Sequence, residues 1–328
     1  ETSKFLTAEL IKANTLSLLK NKPDMIYTVY DEYISDYYLG INKFHCIGLK
    51  EEDDLNNYSL SAIKKALNRG NKRALIEVLQ TVNSTDLLRN LFGKSFIKVL
   101  ADNDLLSQYV ILSNPIYLAS DEIPLIAERN INIIFCPFDI CRLSRKKIEY
   151  ELFYSKNFNI ALGTGIMGNS ILKEMKLLYS TSKTANVNAE YFMKMGTVNP
   201  SKIFGISNIY GTIEKNKIAN LLMFDLSDIR NFLNIPEIDS EKISEFILEN
   251  LEEKDISDII FRGEIVTRNF ENQMFDINEI RNSSKYLSAK IFEVGKYFEF
   301  KQKSLMRERV REFSLGLESN TPPVNYIP

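Results

Sequence analysis

Tyr109–Pro137 reads YVILSNPIYLASDEIPLIAERNINIIFCP, and this stretch decides the fold. Two short apolar runs, Tyr109–Leu112 and Asn132–Phe135, are too short for helices and rich in β-branched residues. Neither alternates polar with apolar, as expected of strands covered on both faces. Between them Ser120 is placed to cap a helix whose first turn carries Asp121 and Glu122, favourable charges at a positive helix end. Strand, helix, strand with one crossover implies a parallel pair.

The same unit recurs outward. Met25–Tyr30, Lys43–Leu49, Ala74–Leu79 and Phe158–Leu162 read as further strands. In one intervening helix Leu60, Ile63 and Leu67 share a face and Gly70 follows as a stop; in another Ser170 caps a stripe of Ile171, Met175, Leu178 and Tyr179. The interval between strands is roughly 20–35 residues, near the repeat of an eight-stranded β/α barrel. Six strands are read in this way, so two are expected outside the sequence. The stretch from Gly48 to Tyr58 is short for a full return. After Gly205 the pattern changes: Tyr210–Glu214 with Leu221–Asp225, and Ile259–Arg262 with Glu264–Arg268 across Gly263, read as two hairpins. Ile243–Leu251 and Ser284–Phe313 read as helices. The expected division is a barrel over 1–208, a small β module over 209–276, and a C-terminal helix and tail over 277–328.

Composition narrows the partners. In 328 residues, Lys and Arg number 41 and Asp and Glu 43, a net charge of −2, so there is no basic field to hold a phosphate backbone and nucleic acid is excluded. No apolar run reaches the roughly 20 residues that span a bilayer, and no charged-then-apolar leader opens the sequence. Membrane partners are likewise excluded. Cys46, Cys136 and Cys141 are an odd number in a large chain, which points to a reducing cytoplasm and to buried, inert thiols. His45 is the single histidine and sits in an apolar run, where a hydrogen-bonded core or rim position is the expectation.

From Tyr109 to Asp225 the sequence resembles the amidohydrolase superfamily, in its branch of cytosine-, guanine- and adenosine-type deaminases and triazine chlorohydrolases. The segments that carry the likeness are the one quoted above, NIALGTGIMGNSILKEMKLL and YGTIEKNKIANLLMFDL, with IIFRGEIVTR at Ile259–Arg268. The resemblance implies an α/β fold with a TIM-type (β/α)8 barrel, a small β-sandwich module and a C-terminal helix. It also implies hydrolysis of C–N or C–Cl bonds at a Zn or Fe centre built mainly from histidines. Carried over one residue at a time, that centre is depleted. The family's His-Gly falls on Ser113-Asn114, its His-Cys-Pro on Phe135-Cys136-Pro137, and the metal-binding Asp of its Gly-Thr-Asp on Gly165. A His-x-x-Glu falls on Glu77 and Gln80, and no His-x-His occurs. Glu174 matches a family residue of architectural role.

These positions define the expected site. Glu77, Gln80, Ser113, Asn114, Phe135 and Gly165 are placed at the C-terminal mouth of the barrel, with Asp31 and His45 facing it. They either fill a vacated cavity or form a remodelled pocket, with Glu77 and Ser113 as polar anchors, Phe135 as an apolar wall and Glu77 as the candidate catalytic carboxylate. No metal ligands and no cofactor are assigned; an oxygen-rich Mg or Mn site from Asp31, Glu32 and Glu77 is the weaker alternative. The functional expectation is a pseudoenzyme, chlorohydrolase- and deaminase-like in scaffold, that binds a small nucleobase-like heterocycle or serves as a partner subunit, with a homodimer as the assembly. The alternative is an active hydrolase with an unconventional site.

Overall fold

The computed structural model describes residues 9–12, 27–30, 46–49, 57–68, 73–143, 153, 158–166, 168–182, 187–227, 242–273, 276, 278–279, 281–290 and 292–293. Asp31, Glu32 and His45 lie outside the described residues, as does the stop expected at Gly70.

One sheet organises the chain. Its strands are β1 (Glu9–Lys12), β2 (Tyr27–Tyr30), β3 (Cys46–Leu49), β4 (Arg73–Glu77), β5 (Val110–Ser113), β6 (Asn132–Phe135) and β7 (Ile160–Leu162). They lie side by side in chain order and every neighbouring pair is parallel. This is the singly wound β/α arrangement from which barrels are built. Six of the strands fall where the apolar runs predicted them. β1 is a correction, because ELIK has charged residues at both ends and no apolar run to mark it. Among the helices are α1 (Asn57–Asn68), α2 (Val82–Phe92), α3 (Phe96–Asp102), α4 (Glu122–Glu128), α5 (Pro137–Leu143), α6 (Ile171–Thr181), α7 (Ala189–Gly196), α8 (Val198–Ile203) and α9 (Ile243–Asn250).

Alternation along the strands separates two cores. Ala74, Ile76, Val110, Leu112, Ile133, Phe135, Ile160 and Leu162 join helix residues such as Ile63, Leu88, Leu100, Leu178 and Phe192 in the larger one. On the opposite face Cys46, Leu75, Ile111 and Ala161 pack with Ile203, and with Ile134 and Phe204. Phe135 is therefore held among aromatics of the helix-facing layer, edge-on to Phe153 at 5.4 Å, which itself meets Phe158 at 5.4 Å. It does not wall the mouth as the sequence suggested.

Helix ends follow local chemistry. Thr81 and Ser84 form a reciprocal capping box before α2, and Gly93, at φ +68, ends that helix. Ser170 Oγ accepts from Lys173 N at 3.3 Å, as predicted. At α4 the prediction needs correcting: Asp121 holds the cap position with helical backbone and no side-chain cap bond. Glu122 instead folds back, its Oε2 accepting from Ala119 N at 2.7 Å.

In the later part, the expected hairpin of Tyr210–Glu214 with Leu221–Asp225 does not form. Residues 210–212 bend, because Gly211 adopts φ +103 and packs so closely on Ser201 that a Cβ would overlap its hydroxyl. β8 (Leu221–Phe224) pairs antiparallel with β9 (Ile256–Phe261) instead. β10 (Glu264–Arg268) begins after a turn at Arg262 and Gly263, with φ +55 and +83. The chain divides into two compact units at Ile265/Val266. In the second unit Thr267 and Arg268 pair antiparallel with Asn272 and Glu271 of β11 (Glu271–Asn272), and residues 281–290 are helical.

Because Phe135 is fully buried, Phe135→Ala is expected to lower unfolding stability by about 3–5 kcal/mol. Urea denaturation measures this; a loss below about 1 kcal/mol would place the ring outside the core.

Candidate functional site

Two residues beyond Leu75 and Ile111, on the same face, come Glu77 and Ser113, which sit opposite each other in the β4–β5 ladder. Two residues beyond Ile134 and Ala161 come Cys136 and Gly163. A Cβ built on Gly163 would meet Cys136 Sγ at 3.0 Å and Ile134 Cγ2 at 3.3 Å, so these side chains do share that face. The row Glu77, Ser113, Cys136, Gly163 thus edges the sheet face away from the main helix-packed core, at the strands' C-terminal ends. Parallel β/α folds place their sites there.

Sequence reasoning put the right strands at this edge and mistook one direction. Phe135 and Cys136 are neighbours, and alternation sends the phenyl ring to the helices and the thiol to the mouth. Counting by twos from Ile134 would have found it. Glu77 is half-buried and Ser113 buried. Gln80 is half-buried and lies past Leu79, which adopts φ +58 and whose carbonyl accepts from Ile116 N and Tyr117 N at 3.1 and 3.0 Å. Asn114 is buried with φ +50, a region that Asn tolerates better than most residues. Its amide donates to Ile134 O at 2.9 Å, and its Oδ1 accepts from Cys136 N at 2.8 Å. The side-chain oxygen of Asn114 therefore continues the β5–β6 ladder past its end.

Position 165 is shaped by a residue the sequence did not single out. Gly165 is exposed with φ +57, and a Cβ placed on it would overlap the carboxylate of Asp139. Asp139 is buried, and its Oδ2 accepts from Ile166 N at 2.9 Å. An acid in the first turn of α5 had the look of an ordinary helix-end charge. Its reach across to the loop after β7 has no local signature.

Glu174 of α6 is the second buried carboxyl here. Its Oε2 accepts from Phe138 N at 2.9 Å, while Oε1 has no hydrogen-bond partner. Burial pushes its pKa up to about 7, against the lowering effect of the Phe138 amide and with a further push from Asp139. Burial likewise pushes the Cys136 thiol up to about 12, helped by Asp139, Glu174 and Glu77 and opposed by Asn114. At neutral pH Cys136 is a protonated thiol with little nucleophilic character. Cys46 is buried as expected. Cys141 is exposed, a correction to its predicted burial; partial desolvation and Glu174 still raise its pKa.

A hydrolytic metal centre needs about three converging nitrogen, sulfur or carboxylate ligands and one open position. Among the described residues no group of three His, Cys, Asp or Glu is placed to hold a metal ion. Asp139 and Glu174 turn a carboxylate oxygen to a backbone amide, and Cys136 keeps its proton. The described strand ends do not fit the histidine-rich Zn or Fe centre that the resemblance implies. No helix among the described residues is long and apolar enough to cross a membrane.

Known proteins share this fold. A 5-methylthioadenosine/S-adenosylhomocysteine deaminase of Pyrococcus furiosus is 25% identical over 240 residues, covering 70% of this chain and 55% of the relative. A 5'-deoxyadenosine deaminase of Methanosphaera stadtmanae is 25% identical over 177 residues, 51% of this chain and 41% of that one. The chain thus spans about half the length of the curated relatives it matches. A zinc-bound adenosine deaminase from Xanthomonas campestris superposes with a TM-score of 0.69 at 15% identity, covering 84% of this chain and 60% of that chain. A zinc-bound atrazine chlorohydrolase from Arthrobacter aurescens does so at 0.64 and 13%, covering 83% and 68%. These superpositions speak for the fold, an α/β arrangement of the TIM-barrel type. The amidohydrolase family model matches residues 48–266, well over half of the sequence, and the chain belongs to the amidohydrolase family.

Proposed function

We propose that this chain is a ligand-binding member of the amidohydrolase family whose strand-end site has given up metal-dependent hydrolysis. One observation carries the reading. Where the family's metal-binding Asp would stand there is Gly165, and the space for a side chain is filled by Asp139, whose carboxylate is engaged by the Ile166 amide. The position is closed as well as mutated. Glu77 and Ser113, adjacent on β4 and β5, are the polar anchors. The carboxylate accepts from a ring N–H or exocyclic amine, and the hydroxyl donates or accepts beside it. The ligand class is a small nucleobase-like heterocycle, with Asn114 fixing the β5–β6 rim and Asp31 and His45 as further candidates. A reducing cytoplasm and a homodimer complete the proposal.

A second reading is favoured by the relatives' names: an active hydrolase that removes the exocyclic amine of an adenosine-like nucleoside. Elemental analysis and turnover separate the two. Purified full chain is expected to carry Zn and Fe far below one equivalent, and to leave adenosine, 5-methylthioadenosine and S-adenosylhomocysteine unchanged in an ammonia-release assay. Stoichiometric metal together with chelator-sensitive turnover would establish the second reading. Binding is tested by calorimetry with adenine. Glu77→Gln is expected to weaken it by about 1–3 kcal/mol, since a charge-assisted hydrogen bond is lost.

The closure at 165 has its own test. Gly165→Ala combines an unfavourable positive φ with overlap on Asp139 and is expected to cost about 1–3 kcal/mol. In the Asp139→Ala background the overlap is gone, so the same substitution should cost about 1 kcal/mol, that of the backbone alone. Additive losses in urea unfolding would mean the two positions do not compete for one space.

A further inference from the structure

Glu174 leaves an unexplained oxygen. The residue is fully buried, Oε2 takes the Phe138 amide of α5, and Oε1 is without a partner. Gly168 shows where that oxygen points. A Cβ built on Gly168 would fall onto both Glu174 Oε1 and the carbonyl oxygen of Thr164, so the two oxygens crowd one point. The Thr164 carbonyl already accepts from Gly168 N at 2.8 Å and has a second lone pair to offer. Two acceptors flanking one point repel; a proton on Glu174 Oε1 turns it into a donor for the carbonyl.

We infer that Glu174 is a proton-operated latch: as a neutral acid it donates from Oε1 to Thr164 O while Oε2 accepts from Phe138 N, tying the loop after β7 to the start of α5. The two segments it joins are those that carry Gly165 and Asp139, so the latch holds the contact between Asp139 and the Ile166 amide in place. The inference rests on this buried geometry and stands whether or not the chain binds a heterocycle. When Glu174 ionises, the donor is lost and the Thr164 carbonyl faces a charged oxygen.

The surrounding charges favour the neutral form. Asp139 of α5 faces Glu174, and burial outweighs the Phe138 amide. Cys136 and Cys141 lie within its field as protonated thiols at neutral pH. Groups that α6 presents elsewhere are engaged: Lys173 with Glu253 at 3.1 Å, Lys176 with Leu251 O at 2.9 Å, and Tyr179 with Glu249 at 3.5 Å. On α7, which packs against α6, Glu190 and Lys194 pair with each other at 2.7 Å. The sign follows from linkage. A carboxyl whose folded pKa is raised to about 7 from the usual 4.5 contributes stability that is complete below the lower value. That contribution is lost as pH rises through the upper one.

Hydrogen exchange on the full chain tests this through the protection factors of the Phe138 and Gly168 amides between pH 5.5 and 8.5. Protection is expected to fall by up to tenfold per unit from pH 5.5 to about pH 7 and to level off above it. Glu174→Gln keeps a donor and an acceptor without the charge, and should abolish that fall. A wild-type profile that is flat throughout, or a fall that survives in Glu174→Gln, overturns the latch. Should Glu174→Gln not fold, carbon-13 NMR of the wild-type Glu174 carboxyl decides. Titration near pH 7 supports the latch, and titration at or below the usual 4.5 overturns it.

Discussion

A parallel sheet closes its hydrogen-bond ladders only as far as its strands run, and every buried amide beyond that point needs an acceptor. At the C-terminal ends of β5, β6 and β7, three side chains supply those acceptors. Asn114 takes Cys136 N, Glu174 takes Phe138 N, and Asp139 takes Ile166 N. An orphaned buried amide costs roughly 1–3 kcal/mol, so these bonds set the positions of the loops around the mouth. The rest of the site follows from them. Gly165 must lack a side chain because Asp139 has come across to reach the Ile166 amide, and Gly168 must lack one because Glu174 stands beside it. Asn114 adopts positive φ so that one residue can hold two strands.

This use of polar side chains bears on chemistry. A group that orients water, grips a cation or relays a proton needs an uncommitted lone pair or a labile proton aimed at the reacting atoms. Asn114, Asp139 and Glu174 direct oxygens into the scaffold. Cys136, the one soft donor at the edge, keeps its proton far above neutrality because burial and three carboxylates oppose a thiolate. Glu77 and Ser113 are two neighbouring polar groups on adjacent strands of the described edge, and the proposed binding of a flat polar ring is built on them.

The β/α order was legible because buried parallel strands are apolar through their centres, as β3 to β7 are. β1 escaped because ELIK carries no such run, and the expected strand at Tyr210–Glu214 failed on the backbone of Gly211. Ser170 was legible as a cap; Ser120 was not, because Glu122 reached back to do the work at that helix end. At the strand ends, Glu77, Ser113 and Gly165 were singled out from motifs. Asp139 was not, since its partner lies 27 residues away across a loop and no local pattern encodes the contact.

Phe135 shows why residue-by-residue resemblance needs direction as well as identity. Read as a motif, the phenyl ring replaces an imidazole and becomes a wall of the pocket. Read as a strand, residue 135 shares its face with Ile133, and both enter the helix-packed core. Its ring is fixed by Phe153 and, through it, Phe158. A histidine introduced there would bury an imidazole among aromatics, a polar group without an evident partner. Polarity at 135 is therefore decided by packing, and the chemistry of the mouth by its neighbour, Cys136.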